Sequence, residues 1–229
     1  MEKHALVVMS GGQDSVTCLG VALKECHSVT ALSFNYGQKH AVELDAARYI
    51  CSLYGVPHDV IDLSPVLQSM RSSALVTHGD TTAPHPILSG LPASFVPARN
   101  ALFLTAAYGI AIEKGATHIY TGVCQTDYSG YPDCREAFIK SLNVALDIGY
   151  ESSIRIVTPL MHLNKAQTFA LAQEVGVLST VLKHSVTCYN GDIDTRHDWG
   201  RGCGTCPACE LRAKGWREYK QSIEENANA

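Results

Sequence analysis

The 229-residue chain has no apolar run approaching the roughly 20 residues that a membrane-spanning helix needs, which argues against a hydrophobic span. It has no large excess of either charge. Eighteen Lys and Arg against 22 Asp and Glu leave a net charge of −4 and a pI near 6.2, so a general attraction to polyanions is missing. Nucleic acid is therefore not an expected partner, although a local basic patch is compatible with the balance. No cleavable signal pattern precedes the first apolar stretch, since Met1-Glu2-Lys3-His4 leads straight into it. The expectation is a cytoplasmic protein with no membrane partner. Repeats and low-complexity tracts are also missing, which leaves an ordinary globular chain with one substantial core and room for a small appended module. The nine cysteines lack the even count of a secreted disulfide framework, and reduced thiols are expected.

What is present begins at residue 10. Ser10-Gly11-Gly12-Gln13-Asp14-Ser15 follows the apolar run Ala5-Leu6-Val7-Val8-Met9, and Val16, Leu19 and Leu23 then recur at helical spacing. A strand that breaks into a glycine turn and enters a helix builds an anion site. The glycines let the backbone approach a bulky ligand, the amides and the Ser10 and Ser15 hydroxyls supply donors, and phosphate is the natural guest. The loop lacks the Gly-Lys-Ser/Thr ending of a Walker A sequence. An acid, Asp14, stands there instead, suited either to place Mg²⁺ or to cap the helix.

Short apolar strands alternate with amphipathic helices along most of the chain. Strands are expected at 5–9, 29–34, 58–62, 118–121 and 154–157, and helices to about 25 and at 40–54, 99–114, 133–146 and 164–175. This pattern predicts an α/β fold, a doubly wound, mostly parallel sheet whose ligands lie beyond the carboxyl ends of its strands. The body is expected to span 1–180, with a C-terminal segment, 181–229, packed on it through a terminal helix. One stretch, 71–92, is too long and polar for a simple connector, and reads as a lid or as a disordered insertion.

The second cluster lies near the C-terminus. Cys203-Gly204-Thr205-Cys206-Pro207-Ala208-Cys209 places three thiols at two-residue gaps, and Cys188 stands upstream as a fourth. Glycine and proline turns suit tetrahedral ligation, so one structural Zn²⁺ per chain is expected, knitting the C-terminal segment to the body. A [4Fe–4S] cluster takes the same donors, and His197 is an alternative ligand to Cys188.

The Ser-Gly-Gly-x-Asp-Ser pattern resembles the pyrophosphate (PP) loop of the ATP pyrophosphatases, whose fold is of the adenine nucleotide alpha hydrolase type. Further strings narrow the resemblance. Phe95 to Asn100, Gly122 to Arg135 with its Ser-Gly-Tyr-Pro-Asp-Cys-Arg core, Thr158-Pro159-Leu160 with Lys165, and Thr187-Cys188-Tyr189-Asn190-Gly191 occur in order. With the opening loop and the cysteine cluster, they closely resemble the 7-cyano-7-deazaguanine synthase family, from Ser10 to about Gly215. The stretch 192–201 is longer than that resemblance leads one to expect.

The resemblance implies a ligase that forms C–N bonds, taking 7-carboxy-7-deazaguanine, ammonia and ATP with Mg²⁺ to the nitrile in queuosine biosynthesis. A carboxylate is a poor electrophile, so its oxygen is first adenylated; ammonia displaces it, and loss of the amide oxygen needs a second activation. A homodimer is also implied. ATP would lie on Val8, Met9, Ser10, Gly11, Gly12, Gln13, Asp14, Ser15 and Val16, with Asp14, Lys165 and Arg99 as catalytic groups stabilising phosphate charge. Substrate would meet Asp127, Tyr131, Asp133 and Arg135: the carboxylates suit the N–H edge of a guanine-like base, and Tyr131 its face. Several of these have a plainer reading. Lys165 and Arg99 could be solvated charges, Asp133 a helix cap, Tyr131 a buried aromatic, and Cys134 is expected to be a buried thiol. The rivals are a tRNA-modifying sulfur transferase with the same loop and a zinc-stabilised nucleotide-binding module without turnover.

Overall fold

Five parallel strands make the central sheet of the computed structural model, which describes residues 2–37, 42–69, 72–77, 79–80, 83–126 and 130–227. In chain order they are β1 (His4–Val8), β2 (Ser28–Asn35), β3 (His58–Asp62), β4 (His118–Tyr120) and β5 (Arg155–Val157), arranged β3-β2-β1-β4-β5. Every pairing is parallel. The strands alternate their side chains between two layers, as a period of two requires. Ala5, Val7, Val29 and Ala31 enter one core, whereas Leu6, Leu32 and Phe34 enter the other.

Helices cover both faces. The first layer includes α1 (Gln13–Glu25), α2 (Val42–Leu53), α7 (Lys165–Glu174), α8 (Leu178–His184) and the terminal α9 (Pro207–Ala227). The second is built on α5 (Arg99–Glu113) and α6 (Glu136–Tyr150). The fold is the doubly wound α/β class expected from the sequence. Because chain order reverses between β1 and β4, their carboxyl ends splay apart and leave a crevice. The glycine loop lies there.

One helix boundary needs correction. The helix placed at 133–146 starts later: a 3₁₀ turn at Pro132–Cys134 precedes α6. Arg135, extended at φ −74° and ψ 145°, separates this turn from α6. Within 71–92 the described residues are ordered by local contacts: α4 (Ala74–Thr77) forms one turn, and the His85 amide donates to the Leu91 carbonyl at 2.8 Å. A second one-turn helix, α3 (Ser64–Leu67), precedes it. The long 192–201 stretch contains a small antiparallel hairpin, β6 (Arg196–His197) with β7 (Gly200–Arg201). No helix among the described residues is long and apolar enough to cross a membrane.

Candidate functional site

A cleft of about 310 Å³ opens at the reversal point. Ser10, Asp14 and Ser15 line one part of it, and Tyr36, Phe103, Tyr131 and Tyr189 bring aromatic surface to it, together with Glu43 and Arg99. This juxtaposition of a phosphate-type loop and flat aromatic walls suits a nucleotide and a planar partner.

Gly11 is required by packing within the body. Gly11 has φ +84°, and a Cβ there would come within 2.3 Å of the Glu43 carbonyl oxygen and 2.9 Å of the Ala47 nitrogen. This glycine lets helix α2 come close to the loop. Gly11 also accepts a hydrogen bond from the Val186 amide at 2.9 Å, which ties the loop to the segment entering Cys188. The Ser10 hydroxyl donates to Ser15 Oγ at 3.1 Å, and Ser15 donates to the Gly12 carbonyl at 3.0 Å. Both hydroxyls thus close on the loop itself. Gln13 and Val16 are buried in the body, and the Gln13 amide has no hydrogen-bond partner among the described residues.

Asp14 is not a helix cap, since Gly12 holds that position without a side-chain bond. Its Oδ2 accepts from Lys165 Nζ at 2.7 Å, and the Lys165 side chain is only 10 % exposed. Lys165 is therefore no solvated surface charge. Its place at the start of α7 is set by a capping box in which Asn164 and Gln167 exchange side-chain and backbone hydrogen bonds, each 2.9 Å. The other Asp14 oxygen, Oδ1, is buried with no donor among the described residues. An unmatched carboxylate oxygen beside a phosphate-type loop fits a hard cation such as Mg²⁺.

Arg99 opens α5 behind Ala98, which takes a left-handed φ of +59°. Its guanidinium carbon lies 6.0 Å from the ring centres of both Tyr36 and Tyr131. Burial opposes the guanidinium charge, yet Tyr36, Tyr131, Asp133 and Cys134 around it outweigh that cost and raise its pKa. The Tyr131 hydroxyl donates to Ser94 Oγ at 2.7 Å, so the ring is both buried and part of the cleft wall.

The remaining substrate candidates part company. Asp133 is buried, and its Oδ2 accepts the Asn100 amide at 3.2 Å. It caps α5, not the following helix, and that oxygen is not directed to a base edge. Arg135 is exposed and lies outside the cleft lining. Asp127 lies outside the described residues. Cys134 lines the cleft as a half-buried thiol whose sulfur accepts from the Asn100 side-chain Nδ2 at 3.3 Å.

Sequence reading missed Glu43, Tyr36 and Tyr189. Burial pushes the Glu43 carboxyl up to about 7, with Arg99 pulling it back, and pushes the Tyr36 phenol to about 12. Glu43 sits in the first turn of an amphipathic helix, where an acid is ordinary, so nothing local marks it. Tyr189 stands inside the Thr187–Gly191 motif with no property of its own to single it out. Its adjacency to Cys188 was the available signal.

The four sulfurs of Cys188, Cys203, Cys206 and Cys209 lie within 4.8 Å of one another. The Cys203–Cys209 and Cys206–Cys188 pairs are each 4.0 Å apart. Tetrahedral zinc thiolates, with Zn–S near 2.3 Å, put sulfurs about 3.8 Å apart, so the cluster fits a metal. His197 is not part of it: Nε2 bonds the Gly202 carbonyl at 2.9 Å, and the ring stacks on Trp199. The fully buried Arg212, one turn beyond Cys209, bonds the Trp199 and Val181 carbonyls and the Thr187 hydroxyl, locking the segments around the cluster. This module is also part of the cleft, because Cys188 and Tyr189 line it.

The sheet order, the loop at β1 and the cleft at the reversal point define a doubly wound α/β protein of the PP-loop class, carrying a four-cysteine module. A solved structure titled as a 4-thiouridine synthetase–RNA complex with bound ATP shares the fold at a TM-score of 0.50 and 16 % identity, over 98 % of this chain and 53 % of that one. The family described as "Queuosine biosynthesis protein QueC" matches residues 4–220, and the chain belongs to that family. Relatives named 7-cyano-7-deazaguanine synthase agree. One from Wolinella succinogenes is 53 % identical over 96 % of this chain and 95 % of its own, and one from Rhodopseudomonas palustris is 46 % identical over 95 % of each.

Proposed function

We propose that this chain makes 7-cyano-7-deazaguanine from 7-carboxy-7-deazaguanine, ammonia and ATP, by way of an adenylated carboxylate and then an amide. The observation that carries this reading is the joining, in one cleft, of the Ser10–Ser15 loop with the aromatic walls around Arg99, in a chain whose near full-length relatives bear the synthase name. The loop amides and serines hold the phosphates, and Asp14 with Lys165 manages their charge and a Mg²⁺ ion. Arg99, fixed between Tyr36 and Tyr131, stabilises charge as the P–O bond breaks. Tyr131 offers a face to the deazapurine. The cysteine module takes one structural Zn²⁺, and the protein works as a cytoplasmic homodimer.

The test is product formation. With 7-carboxy-7-deazaguanine, ammonium and Mg·ATP the protein is expected to yield the nitrile, read by chromatography and mass. ATP consumption that depends on tRNA and gives no nitrile would support the sulfur-transferase rival. Nucleotide binding without consumption would support a binding module.

A further inference from the structure

Glu43 lines the cleft from the first turn of α2, whose backbone is locked to the phosphate loop: its carbonyl oxygen lies against Gly11, where no Cβ would fit. The other acids near the site are already engaged. Asp14 is bonded to Lys165, and Asp133 to the Asn100 amide. Among the described residues, the charged and titratable groups acting on Glu43 are Arg99, from α5, and Tyr36, beyond the end of β2. Neither changes its charge near neutrality.

The proposed reaction contains a step for which these groups leave no base. At neutral pH ammonia is mostly ammonium, which has no lone pair and cannot attack. Resting on the synthase reading, we propose that Glu43 is the general base that makes ammonium nucleophilic at the adenylated carboxylate. A proton passes from ammonium to the Glu43 carboxylate. The freed nitrogen pair forms the C–N bond to the acyl carbon, and the bond from that carbon to the phosphate oxygen breaks, leaving its electron pair on AMP. The nitrogen's surplus proton and the one on Glu43 pass to water, so no oxidant or further reactant is needed. A carboxyl raised to about 7 is a stronger base than an ordinary one and is still substantially ionised at that pH.

Hydroxylamine separates this role from others, because it is largely unprotonated near pH 7 and attacks without prior deprotonation. Wild type and Glu43→Gln are supplied with 7-carboxy-7-deazaguanine, Mg·ATP and either ammonium or hydroxylamine. Amide plus nitrile is measured by chromatography, and hydroxamate by its ferric colour. The substitution is expected to lower kcat/KM for ammonium by about 100-fold or more, and for hydroxylamine by less than about tenfold. Equal losses with both nucleophiles, as a structural or ATP-binding role would give, would overturn the proposal, and so would near-normal ammonium-dependent turnover. If wild type makes none of these products, it is the synthase reading that fails, and this inference with it.

Discussion

Gly215 offers a direct test of how the C-terminal helix sets the site. It lies on α9 against the start of α7, and a Cβ at that point would stand 2.3 Å from Lys165 Cβ and 2.9 Å from the Lys165 carbonyl carbon. Contacting carbons settle at about 3.5–4.0 Å, so Gly215→Ala must push the helices apart by about 1 Å. Overpacking costs about 1–3 kcal/mol, and we take the upper end because the atoms met are main-chain or Cβ, not a flexible tip. Alanine's helix preference returns about 1 kcal/mol. The net is about 2 kcal/mol of destabilisation, a melting temperature about 4–8 °C lower for a chain of this size. Displacing Lys165 from Asp14 by about 1 Å is expected to reduce turnover by up to 100-fold. Gly109→Ala is the control. It lies within α5, with nothing within 4 Å of its Cβ position, so the same change there is expected to stabilise by about 1 kcal/mol. Thermal melts and nitrile formation on both variants decide the matter. If Gly215→Ala melts like Gly109→Ala and keeps full turnover, the argument that α9 positions Lys165 is wrong.

Asp14→Ala is expected to abolish nitrile formation while the fold, followed by circular dichroism, persists; full activity would refute its phosphate and metal role. Cys206→Ser is expected to lower metal content, melting temperature and deazapurine binding together, because Cys188 and Tyr189 belong both to the module and to the cleft wall. A metal-free variant with normal stability and binding would separate the two. Glu43 also predicts a pH effect. Its carboxyl rises from 4.5 to about 7 on folding, so the native state binds more protons than the unfolded state between those values. The stability it contributes is full below pH 4.5 and is lost as pH rises through 7. The melting temperature of Glu43→Gln relative to wild type should therefore climb between pH 5 and 8, whereas a constant difference would contradict the burial of this group. Arg99 stays charged and Tyr36 neutral throughout that window.

Local order in the chain was enough for the sheet strands, most helices, the loop and the four thiols, because periodicity, glycine turns and two-residue ligand gaps act over a few neighbouring residues. His58–Asp62 coincides with its strand, and the cysteine spacing already demanded a compact cluster. Family motifs pointed to Arg99 and Lys165 but were silent on their surroundings. Long-range packing assigned the rest. Whether Lys165 faced water or Asp14 depended on a contact across 151 positions and on Gly215 letting α9 come close. Asp133 went to the start of α5 because the Pro132 turn brought its carboxylate to the Asn100 amide, 33 residues away. Glu43 became a cleft acid only because α2 packed on Gly11. Backbone propensity and ligand spacing are local properties, legible in the sequence by itself; burial, the partner of each charge and the shape of the cleft arise where distant segments meet, and the tertiary structure alone decided them.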